Sequence, residues 1–284
     1  MTTESIYQPA AFSHKDEDAS AGYYSVVLKE EGIKAELTVT AHAGMHRYTF
    51  PSGKEASIII DLTHLLDNEY IYEAELEQTA ANEITGMRRT RGWTDNQYVY
   101  FVAQFSKPFQ AIDFIQNKKM VSAGVKLNGT DLQACLSFDN SNGEPVIAKV
   151  GLSIVSEKNA RENLETEVIG FDFDAVRSAA RSAWEQALSA ITVKGGNTDD
   201  LKNFYTAMYH SMVVPNVVSD VNGEYRRHNM EIGQLPKGKV QYSTFSLWDT
   251  FRAWNPLMTL IDTTLVNNMT VSYTHLRAHE TLRH

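Results

Sequence analysis

Between Gly22 and Ser156, short apolar runs alternate with turn residues, the signature of strands rather than helices. Ile33-Lys34-Ala35-Glu36-Leu37-Thr38-Val39 alternates apolar and polar strictly, which predicts a half-buried strand. Glu30-Glu31-Gly32 should join it as a hairpin to a strand over 23–28. Residues 45–50 form a short run stopped by Pro51-Ser52-Gly53, and 57–62 reads as a core strand. Further strands are expected over 70–76, 98–105, 109–114, 121–127, 132–138 and 146–155. Many strands at short spacing predict an antiparallel sandwich or closed sheet, not a doubly wound fold. No phosphate-cradling glycine pattern follows any of them.

After Ser156 the period changes to that of helices. Residues 159–166 predict a short polar helix. Asp172-Phe173-Asp174 opens another, with Val176, Ala180, Ala183, Trp184, Ala187 and Ile191 at helical spacing, closed by Lys194-Gly195-Gly196. Asn197-Thr198-Asp199-Asp200 is a capping signal for a helix whose stripe is Leu201, Phe204, Tyr205, Met208 and Met212. Residues 217–226 resemble a β-hairpin turning at Asn222-Gly223. A last helix should begin near Ser246, with Ser246 and Asp249 as a capping box. Its apolar residues cover several faces, which predicts burial nearly all round, and Pro256 should kink or restart it.

With 43% hydrophobic and 21% charged residues, the 284-residue chain is globular. A net charge of -9 argues against a nucleic-acid partner and offers no basic patch for anionic membranes. No apolar run is long enough to span a bilayer, and MTTESIYQPAAF is not a signal peptide. The single cysteine, Cys135, excludes an intrachain disulfide and reads as a small buried hydrophobe in its strand.

Trp248 and Asp249 are the first candidates for chemistry. An indole can pack on the C–H face of a pyranose while a carboxylate accepts bonds from two hydroxyls; the plainer reading is a core tryptophan and a capping aspartate paired with Arg252. Trp93, after Gly92 in what reads as a basic loop over 88–94, is either a sugar platform or a loop anchor. His275 and His279 are four apart, but Leu276 stands where a zinc-protease helix would carry glutamate, and no third ligand is evident. His210 reads as a packed helix histidine. No Gly-x-Ser-x-Gly elbow occurs, and spacing alone picks out no carboxylate pair.

Three stretches go further: FSHKDEDASAGYYSVVLKEEGIKAELTVTAHAGMHRYTFP (12–51), RRTRGWTDNQYVYFVAQFSKPF (88–109) and YSTFSLWDTFRAWNPLMTLI (242–261). They resemble the glycoside hydrolase family 92 α-mannosidases. The resemblance implies a multi-domain chain, β then α. An antiparallel β-sandwich lacking its first strands would occupy 1–165, a linker helix 166–196, and the first helices of an (α/α)6 toroid 197–270. It implies calcium-dependent, inverting exo-hydrolysis of terminal α-mannosides, mostly α-1,2, on N-glycans or mannan. Trp248 and Asp249 match the family's Trp-Asp-Thr motif at the mannose subsite, and Trp93 is a further candidate contact. The family's acid, base and calcium ligands are expected beyond residue 269, so no catalytic or metal residue is assigned here and this chain alone is expected to be inactive. Export to the periplasm or medium is a family expectation. Residues 271–284 depart from the pattern and read as foreign. A non-catalytic carbohydrate-binding sandwich with a helical appendage is the alternative.

Overall fold

The computed structural model describes residues 10–66, 69–92, 94–121 and 126–277. The chain divides into two compact units, the first ending at Ala180 and the second starting at Arg181.

The first unit is an antiparallel β-sandwich. Its larger sheet has nine strands in the order β1 (Glu17–Ser20), β2 (Tyr23–Leu28), β3 (Ile33–Val39), β4 (Ala43–Thr49), β13 (Val146–Ser153), β8 (Gln97–Phe105), β7 (Glu83–Arg91), β6 (Tyr70–Ala80) and β11 (Leu127–Gly129). The smaller has four: β10 (Lys119–Val121), β9 (Phe109–Gln116), β12 (Leu132–Phe138) and β5 (Ala56–Asp61). Alternation decides which side chains meet between them. In β12, Leu132, Ala134, Leu136 and Phe138 are buried while the residues between are not. They pack with Phe114, Leu76, Ile84 and Phe105 into the principal core.

The opposite face of the large sheet carries a second core. Met45 and Val102 pack against Ala160 and Leu164 of α1 (Glu157–Glu167) and against Phe173, which opens α2 (Phe173–Leu188). Ser156 starts α1 by accepting the Asn159 amide at 3.1 Å. The helix can lie on β13 because residue 151 is glycine: a Cβ there would sit 2.3 Å from the Ala160 carbonyl oxygen. Arg161 then pins α1 to β7 by a two-pronged pair to Glu83, at 2.7 and 2.8 Å. That guanidinium holds the Glu83 carboxyl down to about 2. Arg47 does the same to Glu36, also to about 2, with the Tyr23 hydroxyl donating to the same carboxylate.

In the second unit, α3 (Thr198–Ser211) is capped by Asn197, which accepts the Asp200 amide at 2.8 Å. Two small ladders follow: β14 (Asn216–Val217) with β17 (Tyr242–Ser243), and β15 (Glu224–Arg226) with β16 (Ile232–Gln234). Then come α4 (Leu247–Thr250), α5 (Trp254–Ile261) and α6 (Thr263–Arg277), the last passing through Val271 without a break.

Several expectations need correction. The basic loop over 88–94 is strand as far as Arg91, because Arg88 and Arg89 leave β7 on opposite sides and Thr90 is buried. The strand expected over 121–127 is the end of β10 and the start of β11, which belong to different sheets. The 217–226 hairpin does not form. Asn222-Gly223 does turn, closed by Asp220 N–H to the Glu224 carbonyl at 2.8 Å, but residues 216–218 pair with 241–243 instead. Cys135 is half-buried on the side of β12 away from the core. The helix expected from Ser246 is three helices. Pro256 restarts it, standing in the first turn of α5, where its missing N–H costs nothing. Nor is that region buried all round: Met258 is inside, whereas Leu260 is 83% exposed.

Candidate functional site

The site grows from the end of β17. Its backbone is held from behind by buried polar side chains. The Gln241 amide donates to Ser219 Oγ at 3.0 Å, the Tyr242 amide donates to Ser272 Oγ at 3.0 Å, and Gln241 Nε2 reaches the Ser272 carbonyl at 3.3 Å. Thr244 follows at φ 68°, a left-handed conformation that a β-branched residue resists. Its hydroxyl donates to Asn216 Oδ1 at 3.0 Å, which helps hold the turn.

That turn sorts the next residues. Phe245 and Leu247 line an apolar groove of about 220 Å³ with Trp254, Val266, Met269 and Tyr273. Trp254 is anchored by its indole N–H on the Ser211 carbonyl at 2.5 Å. Trp248, by contrast, is 84% exposed, and Asp249 beside it is exposed as well.

The capping box does not form. Ser246 Oγ donates to Asp249 Oδ2 rather than accepting a first-turn amide, and the amides of Asp249 and Thr250 bond the Ser246 carbonyl at 3.2 and 3.1 Å. Asp249 has no ion pair with Arg252, whose guanidinium lies 5.9 Å from the Phe251 ring. Among the described residues nothing bonds Asp249 Oδ1. Neither the core role for Trp248 nor the capping role for Asp249 is therefore what the structure shows. Trp248 and Asp249, successive residues of α4, both face water, which leaves the indole ring free for an apolar face and Asp249 Oδ1 free for a hydroxyl donor. α4 has four residues, too few for its dipole to matter.

Trp93 and His279 lie outside the described residues, as does the side chain of His275. His210 is exposed at the end of α3, its ring tilted against Tyr209 with centroids 5.8 Å apart, and not packed as expected. Burial pushes the Cys135 thiol up, which makes it a poor nucleophile. Among the described residues no three His, Cys, Asp or Glu side chains converge on a possible metal position. Thr244, whose conformation aims the site, has no signal in the sequence, since threonine is the wrong residue for that backbone.

Residues 2–153 match the N-terminal domain of glycosyl hydrolase family 92, and residues 159–282 match its catalytic domain. The chain belongs to glycosyl hydrolase family 92. The catalytic-domain match takes in 271–282, most of the run that the sequence alone sets apart. An uncharacterized secreted glycosidase of Arthroderma benhamiae is 31% identical over 264 residues, 84% of this chain and 33% of that protein. The family GH92 alpha-mannosidase BT3965 of Bacteroides thetaiotaomicron, also solved with mannoimidazole, superposes with a TM-score of 0.88 at 33% identity, covering 94% of this chain and 36% of that one. The GH92 glycosyl hydrolase ccman5 gives 0.85 at 26% identity over 94% of this chain and 37% of its own. The family 92 chain described here thus spans about a third of the length of the relatives it matches. The sandwich of its first unit is the family's N-terminal domain, and the chain from α1 onward falls in the catalytic-domain match, at the start of the α/α toroid.

Proposed function

We propose that this chain is part of an exo-acting α-mannosidase that removes terminal α-mannosyl residues, mostly α-1,2-linked, from N-glycans or mannan. Trp248 and Asp249 form one wall of its mannose pocket. The observation that carries this reading is their joint presentation to solvent on a turn braced from behind by Gln241, Ser219 and Ser272. In the pocket Trp248 covers the apolar face of the terminal sugar, and Asp249 accepts bonds from its hydroxyls and fixes its rotation.

Inverting hydrolysis needs an acid and a base about 6.5–9.5 Å apart, with water between base and sugar. Asp249 is one carboxylate, and no second one faces it among the contacts of this turn. The acid and base of the proposed reaction are therefore assigned to residues outside this chain. Calcium, the expected cofactor, takes about six to eight oxygen ligands. The described residues do not fit it, since only the Ser246 hydroxyl accompanies Asp249 and no carboxylate cluster exists among them. Export, like that in the name of the Arthroderma relative, belongs to the same proposal.

Two measurements test it. This chain alone is expected to release no mannose from an α-1,2-mannobioside with calcium present; release would overturn the assignment of acid and base elsewhere. In the longer protein that carries this chain, Asp249→Ala should lower kcat/KM about 10- to 100-fold, the worth of charge-assisted hydrogen bonds. Unchanged turnover would remove Asp249 from the pocket.

A further inference from the structure

The sandwich carries an aromatic surface that the proposed pocket does not use. Tyr70 and Tyr72 flank the buried Ile71 on β6, so both leave the sheet on the side away from the principal core. They are 59% and 41% exposed, with rings 5.3 Å apart edge to face. On the neighbouring β7, Arg89 pairs across the ladder with Tyr98 of β8. Its guanidinium lies 5.1 Å from the Tyr72 ring and 5.4 Å from the Tyr98 ring. Nε and Nη2 of Arg89 both donate to Asn96 Oδ1, at 3.0 and 2.5 Å. Tyr98 in turn stacks parallel to Tyr100, at 6.2 Å and 7°.

The arginine thus works as a wedge. Cation–π contact on two sides, locked by Asn96, sets the rings before any ligand arrives, which lowers the ordering cost of binding. Rigid tyrosines combine a flat face for the C–H side of a pyranose with a hydroxyl for its hydroxyls. The charges speak against a polyanion. Glu73, Glu75 and Glu77 leave β6 on the tyrosine side, and Arg91 is engaged by Asp95 at 3.4 Å.

We propose that Tyr70, Tyr72 and Tyr98, set by Arg89 and Asn96, form a binding platform for a neutral polysaccharide. The occupant is an α-mannan chain; that choice rests on the proposed function, while the platform itself does not.

Affinity electrophoresis of this chain through gels containing yeast α-mannan, barley β-glucan or dextran sulfate tests it. Mannan should retard the chain. Tyr72→Ala should weaken the interaction at least about tenfold, as loss of a central aromatic contact does, and Tyr72→Phe should keep it. If Tyr72→Ala misfolds by circular dichroism, Tyr70→Ala, which removes the more exposed ring, carries the same test. Retardation by β-glucan alone, with the same variant pattern, upholds the platform and removes mannan as its occupant. No retardation by either neutral polysaccharide, equal retardation of wild type and Ala variants, or retardation by dextran sulfate alone would overturn the proposal.

Discussion

Phe114 on β9 and Leu260 on α5 are both large apolar side chains, and they sit in opposite surroundings. Phe114 is sealed between the two sheets, whereas Leu260 faces water. The contrast holds for their units. The sandwich buries apolar residues from both sheets and adds a second core under α1. In the second unit the buried apolar residues among those described are Met208, Tyr225, Leu235 and Met258. Each sheet offers the other a whole apolar face, and strands far apart in sequence, such as β4 with β13 and β5 with β12, pair to complete those faces. A helix that is apolar on several sides needs partners on several sides; among the described residues α5 fully buries Met258 and half-buries Trp254, while Leu260 is left to water. The difference teaches that apolar content alone does not locate a core; the supply of facing surfaces does.

The comparison can be broken most sharply at Phe114. Phe114→Ala should cost the first unit about 3–5 kcal/mol in denaturant unfolding, through lost burial and a residual cavity. A loss below about 1 kcal/mol would mean that this core is not shared between the sheets.

Acid should act next. The Glu83 carboxyl is held at about 2 in the folded chain against 4.5 ordinarily, so the unfolded chain takes up the proton first as pH falls. Its contribution, on the order of 2–3 kcal/mol, is complete above pH 4.5 and is lost towards pH 2. Glu36, paired with Arg47, adds in the same direction. Melting temperatures at pH 5, 4 and 3 should fall progressively, and Arg161→Ala should flatten part of that fall while lowering stability at neutral pH.

A smaller effect is expected at Gly151. Gly151→Ala forces a Cβ against the Ala160 carbonyl and should cost about 1–3 kcal/mol as α1 shifts off β13. Hydrogen exchange should report the loosening in α1 before the strands. The smallest is at Leu260: Leu260→Lys should change stability by less than about 0.5 kcal/mol. It should nonetheless reduce concentration-dependent self-association in light scattering, because it interrupts an exposed apolar surface. A destabilisation comparable to Phe114→Ala would place Leu260 in a core after all.

Where period and punctuation agreed, the fold was legible. The hairpin through Gly32, the alternation of β12 and the Asn197 cap follow directly from residue type. β7 was hidden by its arginines, whose charge reads as loop although Arg89 leans on tyrosine rings and Arg88 reaches the Leu62 and His64 carbonyls. At Asn222-Gly223 the turn was legible and the partner strand was not, because residues 216–218 find theirs some 25 positions away. For the candidate site the residue types were readable at Trp248 and Asp249. Their exposure was not, since it depends on the backbone of Thr244 and on how Ser246 uses its hydroxyl.

The sequence by itself determined what is local: which residues alternate, where helices begin, the acidic surplus, and the motifs that join this chain to family 92. Only the tertiary structure decided that α1 rests on Gly151, that Arg161 and Arg47 neutralise buried carboxylates, that Arg89 wedges two tyrosine rings, and that Trp248 faces water. Period and capping are properties of adjacent residues, and the chain carries them wherever it goes. Burial, pairing and proton affinity belong to whatever distant segment arrives on the other side, and that is settled only when the chain folds.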